Sequence, residues 1–351
     1  MGVIIESHSD CTSPIVLVNK YKDGVKSGVR LCTDFRKLNT ITYKDSYPMP
    51  FIEEQLENLK SKNFFSNLDI TAGYHTFKMH PNSQHLTAFT TPEGCFEFQR
   101  LPFGLCNAGA TFQRAMVNLF TDLKFASVYI DDISVASYTF QEHLTDLDKS
   151  LTRLTTAGLK IKPSKCTFGF TKMKFLGFIV SGKGMEVCPS RNDTIKNYPR
   201  PKCVKHIRQF LGLASYYRKF IKGFAELAAP LNKLLKKGPK FDWNASCENS
   251  FKTLIYQLQH PPILIFPDTT KPYRLLTDAS DFGLGAVLAR IDENGDERVI
   301  SYASRSLTTA EKNYNTTEKE LCAIIWAIDK YRPYLFAGPP FELITDHQAL
   351  T

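Results

Sequence analysis

The run 125–136 is apolar and β-branched except where two adjacent carboxylates, Asp131 and Asp132, interrupt it. Ser127, Tyr129 and Asp131 alternate with Val128 and Ile130, and Ile133 and Val135 follow. The spacing predicts a hairpin with both aspartates at its tip. Two like charges side by side are costly unless a cation shares them. Exposed at a turn, they can hold a hard divalent ion: Mg²⁺ takes carboxylate oxygens and keeps positions for phosphate oxygens, as phosphoryl transfer requires. An acidic turn without chemistry has the same local sequence, because Asp favours turns.

A second acid adds context. Asp69 ends the short apolar stretch Phe64-Phe65-Ser66-Asn67-Leu68, and Gly73-Tyr74 follow where the chain must turn. Alone, Asp69 could cap a helix. Between the two acidic segments lies Leu101-Pro102-Phe103-Gly104-Leu105-Cys106-Asn107-Ala108-Gly109-Ala110-Thr111-Phe112-Gln113. In this order and spacing the three blocks resemble the palm of reverse transcriptases, specifically those of Gypsy-type LTR retrotransposon Pol polyproteins. Upstream, Ser13-Pro14-Ile15-Val16-Leu17-Val18 and Arg30-Leu31-Cys32-Thr33-Asp34-Phe35-Arg36-Lys37-Leu38-Asn39 resemble the fingers. Downstream, Phe175-Leu176-Gly177-Phe178 resembles the primer grip, and Phe210-Leu211-Gly212-Leu213 with Tyr216-Tyr217-Arg218-Lys219-Phe220-Ile221 the next block. Leu276-Thr277-Asp278-Ala279-Ser280 and Glu318-Lys319-Glu320-Leu321 resemble the opening of a ribonuclease H domain.

The resemblance implies an α+β fold: a right-hand polymerase of fingers, palm and thumb, followed by a truncated ribonuclease H-like α/β domain. It implies an RNA-directed DNA polymerase that extends a primer 3′ end with deoxynucleotides, using two Mg²⁺ ions per active site, for which Mn²⁺ can substitute. Asp69, Asp131 and Asp132 match the catalytic acids, and the Ile70 carbonyl is a further metal ligand by the same resemblance. Lys20, Arg30, Tyr74, Phe103 and Gln113 match nucleotide-binding positions, with Tyr74 as the plate beneath the sugar. Leu176 and Gly177 match the primer grip, and Lys165 falls in the block that assists proton transfer to pyrophosphate. Gly109 stands where the family commonly has proline. Asp278, Glu320 and Asp346 match three metal-binding carboxylates of ribonuclease H. Without the resemblance, Asp278 reads as a turn residue, Glu320 as a capping-box acid and Asp346 as a helix cap. The family pattern needs a further acid, whereas this sequence ends at Thr351, so only a partial ribonuclease H domain is expected.

With 351 residues, 43% of them hydrophobic, the chain can build two or three domains with real cores. The expected boundaries are 1–60 for an N-terminally short fingers-like part, 61–185 for the palm, 186–265 for a thumb- or connection-like helical region and 266–351 for the ribonuclease H-like domain. A net charge of +9 favours a polyanionic partner, and the resemblance makes that a primed RNA or DNA template and an RNA–DNA hybrid, with dNTPs and with the protease and integrase of a parent polyprotein. Nine scattered cysteines without CxxC or zinc spacing argue for reduced thiols and an intracellular setting; no apolar run suggests a signal peptide or membrane partner.

Periodicity predicts helices near 51–59, 110–123 and 141–157, and turns at Lys22-Asp23-Gly24 and Tyr47-Pro48-Met49-Pro50. One amphipathic helix is expected from Lys205 through Phe224, ended or kinked by Pro230, with Lys205, Arg208, Lys219, Lys222, Lys233, Lys236 and Lys237 available to a phosphate backbone. Strands are expected at 273–278, 285–290, 299–303 and 341–345. A helix from Thr317 is expected to use Thr317 and Glu320 as a capping box and to bury Leu321, Ile324, Ile325 and Ile328. Two rivals stand beside the polymerase: a catalytically inactive nucleic-acid-binding transposon remnant, and a structural scaffold, which leaves the acidic hairpin unexplained.

Overall fold

A computed structural model describes residues 2–22, 25–188, 195–236 and 241–350. Of the positions singled out above, Asp23, Gly24 and Lys237 lie outside the described residues. The backbone divides into two units, residues 1–173 and 174–351.

The first unit is organised by a four-stranded sheet in the order Ala126–Tyr129, Asp132–Ser137, Phe64–Asp69, Thr167–Phe170. Its register pairs Leu68 with Ile133, Ser66 with Val135 and Asp69 with Asp132. Side chains alternate across a strand, so holding Leu68, Ile133 and Val135 in the core sends Asn67, Asp69 and Asp132 to the other face. Helices Ala108–Phe120 and Phe140–Thr156 supply Phe112, Met116, Phe120, Leu147 and Leu154 to that core. The expected hairpin is present, with Ile130 and Asp131 as its two-residue loop and Asp132 opening the returning strand. Upstream, Ile15–Lys22 and Val25–Thr33 form a two-stranded ribbon, and Ile52–Glu57 is helical.

A buried polar chain ties this sheet to its helix. The Gly169 N–H donates to Ser66 Oγ (3.0 Å), which leaves the Ser66 hydroxyl proton for His143 Nε2 (2.7 Å). Nδ1–H of His143 then donates to Ser137 Oγ (3.1 Å), and the Ser137 hydroxyl to Asp146 Oδ2 (2.7 Å). Every partner finds a bond only with neutral imidazole in this tautomer.

The boundary between the two units falls within the first strand of the meander Lys172–Phe175, Phe178–Ser181, Gly184–Val187. The single long helix expected from Lys205 is instead two. Val204–Tyr216 ends, a 3₁₀ turn Arg218–Phe220 follows, and Gly223, in the left-handed region at φ 65°, starts Phe224–Lys233. Pro230 falls inside that second helix and does not end it. After Ala245–Gln259 comes a sheet ordered Glu297–Ser306, Gly283–Ile291, Arg274–Ala279, Glu342–Ile344, the last strand parallel to its neighbour. Helix Thr316–Leu335 packs on it. Its capping box is Asn315 with Glu318, not Thr317 with Glu320: each side chain bonds the other's backbone N–H at 2.9 Å. Its buried stripe is the expected one at Ile324 and at Ile328, which packs on the core, but not at Leu321 and Ile325. Ala323, Ile324, Ala327 and Tyr331 face the core, whereas Leu321 and Ile325 are exposed, because small alanines let the helix approach the sheet closely. Among the described residues no helix is long and apolar enough to cross a membrane.

Burial lowers the proton affinity of His143, although Asp146 and Glu142 pull the other way. The unfolded chain therefore takes the proton first; stability tied to the neutral ring is present above pH 6.5 and lost as pH falls through the lower folded value. Hydrogen-exchange protection in Phe64–Asp69 and Asp132–Ser137, corrected for intrinsic exchange, should drop as pH falls below 6.5. His143→Gln should flatten that dependence; equal slopes in the two proteins would assign the loss to other groups.

Candidate active site: two carboxylate clusters

Register alone makes Asp69 and Asp132 cross-strand neighbours, and the loop adds Asp131. The loop is strained. Ile130 is β-branched yet lies at φ 52°, a conformation that costs about 1–3 kcal/mol and persists only where its surroundings impose it. Gln113, fully buried on helix Ala108–Phe120, imposes it: its carbonyl accepts the Ile130 N–H (2.6 Å) and its amide donates to the Val128 carbonyl (2.9 Å). Matched above to a nucleotide-binding position, Gln113 has these amide contacts on the hairpin backbone. Ile70, one residue beyond Asp69, is buried in the core and bridges to Ile161.

The three acids are electrostatically uncomfortable. Burial, then the charges of Asp132 and Asp69, push the Asp131 carboxyl above the usual range, while Lys165 opposes them. Burial and Asp69 likewise raise Asp132, against a hydrogen bond from Asn67. Asp131 Oδ1 is buried with no donor. The Lys165 ammonium, at the end of the 3₁₀ turn Pro163–Lys165, lies 3.1 Å from Asp69 Oδ2. The site thus holds a surplus of carboxylate oxygen and one lysine against it, which suits a cation.

Around the acids the packing is aromatic. Tyr74 stacks on Phe112 (5.0 Å between centroids) and leans on Phe103 (4.8 Å). Burial, then the Asp131 charge, raises the Tyr74 phenol above its ordinary value. Gly73 is required here: a Cβ would fall 2.8 Å from the Phe112 ring and 3.1 Å from Asp131 Oδ1. Phe103 itself is exposed, its loop held by Asn39, which donates to the Gly104 carbonyl (2.9 Å) and accepts the Cys106 N–H (2.8 Å). Asn107, before the helix, spends its side chain on the 43–45 backbone, so Gly109 enters a helix without a side-chain cap. Asn39 and Asn107 are organising residues to which sequence reasoning assigned no role, and to Gln113 it assigned nucleotide binding and not this clamp, for which a polar side chain inside an apolar helical stripe was the available signal.

Lys20 and Arg30 are exposed on the ribbon, and its register, pairing Val18 with Arg30, places them on the same face. Leu176 and Gly177 belong to the second unit and form the loop between Lys172–Phe175 and Phe178–Ser181. Lys205, Arg208 and Lys222 are exposed, whereas Lys219 lies 4.6 Å above the Phe178 ring.

The second cluster is tighter. One ligand oxygen each from Asp278, Glu320 and Asp346 lies within 4.8 Å of the others, the one acidic trio so closely drawn among the described residues. Asp278 comes from strand Arg274–Ala279, Glu320 from the first turns of its helix, and Asp346 from just beyond Glu342–Ile344. Glu320 Oε1 accepts the Ala279 N–H (3.1 Å), and its buried Oε2 has no donor. Burial, with the charges of Asp278 and Asp346, raises Glu320 above the carboxylate range, against the Ala279 bond and His347.

Residues 19–180 match the family described as reverse transcriptase (RNA-dependent DNA polymerase), and residues 243–343 the RNase H-like domain found in reverse transcriptase. Over essentially its whole length the chain is 40% identical to the retrovirus-related Pol polyprotein from transposon opus, 42% to that from transposon 297 and 38% to that from transposon gypsy, all of Drosophila melanogaster. It covers 36%, 33% and 35% of these, so it spans about a third of the curated relatives it matches. Among solved structures, a foamy viral protease-reverse transcriptase dRH in complex with ds DNA superposes with a TM-score of 0.88 at 27% identity, over 99% of this chain and 60% of that one. The foamy viral protease-reverse transcriptase in complex with RNA/DNA hybrid gives 0.81 at 27%, over 99% and 47%.

Carboxyls whose proton affinity is raised by folding contribute stability below their ordinary range that is lost as pH rises through the folded values. At neutral pH the Asp131 charge therefore destabilises the first unit. Asp131→Asn should raise its thermal midpoint without added metal, by about 2–4 °C for each kcal/mol relieved. Millimolar Mg²⁺ should stabilise the wild type more than the variant. A lower midpoint for Asp131→Asn in metal-free buffer would show that its carboxylate serves the fold.

Proposed function

This chain belongs with the reverse transcriptases of gypsy-type transposon Pol polyproteins, and from that premise we propose that it copies a primed RNA or DNA template by two-metal phosphoryl transfer from dNTPs. The observation that carries the reading is the placement of Asp131 on an imposed, strained loop beside the paired Asp69 and Asp132, with a buried oxygen lacking any donor. That donor set fits Mg²⁺ or Mn²⁺, held by Asp69, Asp131 and the Ile70 carbonyl with Asp132 in support. When bound, two such ions stabilise the attacking and leaving oxygens of an in-line displacement.

The remaining work falls to the chain's own side chains. Arg30 can grip phosphate oxygens in a fork and Lys20 adds a point charge on the same ribbon face, so both are proposed to hold the triphosphate. Tyr74, fixed by Phe112 and Phe103, is proposed to lie beneath the sugar and exclude a 2′ hydroxyl. Phe103 would line that pocket, and Gln113 acts through the hairpin it clamps. Lys165 would leave Asp69 for the phosphates when the site fills. Leu176 and Gly177 are proposed as the primer grip. Asp278, Glu320 and Asp346 are proposed to serve cleavage of the RNA strand of an RNA–DNA hybrid, the unpaired Glu320 Oε2 fitting a metal ligand. Protease and integrase segments would be the partners within a parent polyprotein.

Primer extension on an RNA template with Mg²⁺ tests the reading. Asp131→Asn should cut nucleotide addition by at least about 100-fold while primer–template binding stays within about twofold, since a metal ligand and not basic surface is removed. Wild-type extension by this variant would place the metal site elsewhere, and no extension by the wild-type protein itself would favour an inactive nucleic-acid-binding remnant.

Tyr74→Val should relax sugar discrimination. Removing the ring opens space for a 2′ hydroxyl without touching an acid, so single-turnover incorporation of a ribonucleotide should rise by about 10-fold or more relative to its deoxy counterpart. Unchanged discrimination would return Tyr74 to packing alone.

A further inference from the structure

The loop Leu176-Gly177 joins two strands through two residues, and both take left-handed backbone angles, φ 46° and φ 85°. A two-residue hairpin of this kind favours Asn-Gly, so glycine is at ease in the second position and leucine is strained in the first. Strain of that sort survives only where neighbours hold the backbone. Here the holders are adjacent tyrosines. The Tyr216 hydroxyl donates to the Leu176 carbonyl (2.5 Å), and the Tyr217 hydroxyl to the Gly177 carbonyl (3.3 Å).

Neighbouring residues on a helix do not face the same way. Helix Val204–Tyr216 ends between these two, Tyr217 having left helical geometry at φ −102°, ψ 11°, and that break lets both rings reach one loop. The rings are themselves fixed. Phe178, directly after the loop, stacks on Tyr216 (5.4 Å) and on Phe220 (5.8 Å) and meets Tyr217 edge-on (5.6 Å). A Cβ on Gly177 would come within 3.0 Å of the Tyr217 oxygen, so the loop lies against the hydroxyls with no slack.

We infer that Tyr216 and Tyr217 are positioning residues: their two hydroxyls lock the strained Leu176-Gly177 loop in the shape that holds the primer end. The inference rests on the reading of that loop as the primer grip. It joins two sequence blocks, 175–178 and 216–220, whose connection is visible only in three dimensions.

Tyr216→Phe, Tyr217→Phe and the double variant keep the ring stack and delete the hydroxyls. Steady-state extension should show KM for primer–template raised about five- to tenfold in the double variant, with kcat changed less than about twofold and the thermal midpoint little moved. Tyr217 is buried and out of reach of nucleic acid, so a raised KM in its single variant separates a lock from direct contact by the exposed Tyr216. An effect confined to Tyr216→Phe, or a fall in kcat matched by a fall in thermal midpoint, would overturn the lock. Leu176→Asp tests the premise, because aspartate tolerates the left-handed angle and repels primer phosphates. If it leaves KM unchanged, the loop is not on the primer and the grip reading fails. If it raises KM while the phenylalanine variants do not, the grip stands and the lock falls.

Discussion

The pairing of Phe64–Asp69 with Asp132–Ser137 is the constraint on which the first unit depends. With a side-chain period of two, one choice of register decides two things together: Leu68, Ile133 and Val135 enter the core, and Asp69 and Asp132 meet on the other face. A slip of either strand by one residue would bury its carboxylate and expose its apolar set. Burial of the core side chains, at about 1.5–3 kcal/mol each, therefore holds the acids together against their mutual repulsion. The chain at Ser66, His143, Ser137 and Asp146 fixes the same register by directional bonds from the opposite end of the strands. Hydrophobic burial alone would also accept a slip of two residues, which keeps each face; this bonded chain does not.

Against that rigid frame, the acidic corner is built from unfavourable pieces. Ile130 is strained, Asp131 is partly buried beside two other carboxylates, and one of its oxygens has no donor. Each would relax if free to do so. Gln113 prevents the loop from relaxing by holding the Val128 carbonyl and the Ile130 N–H at its entry, and Gly73 leaves room beside Phe112 and Asp131 for no further side chain. Local conflict of this kind within an otherwise consistent structure is where a site is to be expected.

How much of this was legible in the sequence depended on whether a feature followed from local period. The acidic hairpin was legible because alternation over 125–136 left only the loop for Asp131. So were the helices at 110–123 and 141–157, to within a few residues. The single helix expected from Lys205 was not, because Tyr217 and Gly223 break it without disturbing the apolar spacing that suggested it. In Thr316–Leu335 two capping boxes were available within a few residues, and Asn315 with Glu318 prevails. That choice has a chemical consequence: Glu320 is released from the cap and turns inward toward Asp278 and Asp346. The helix stripe was misjudged because hydrophobicity favoured Leu321 and Ile325, whereas close approach to the sheet favoured Ala323 and Ala327. The roles of Gln113 and Asn39 depend on contacts between segments far apart in the chain, which no local pattern encodes.

The two acidic clusters reach one end by different geometry. In the first, an antiparallel pair and its loop supply three carboxylates from a single continuous hairpin and its neighbour strand. In the second, an antiparallel strand, a helix and the segment just after a parallel strand supply one each. Both place one carboxylate where a buried oxygen lacks a donor, Asp131 Oδ1 in one and Glu320 Oε2 in the other. An unpaired buried acceptor costs about 1–3 kcal/mol, more for a charged group, and a structure keeps two of them only with compensation elsewhere. A bound cation removes the cost in both places, since it replaces the missing donor and screens the neighbouring charges. The two trios differ in their counter-charge: Lys165 engages Asp69 on one side of the first, while no ammonium bonds Asp278 or Asp346 among the described residues. A cation entering the first site would therefore displace a resident charge, and one entering the second would not.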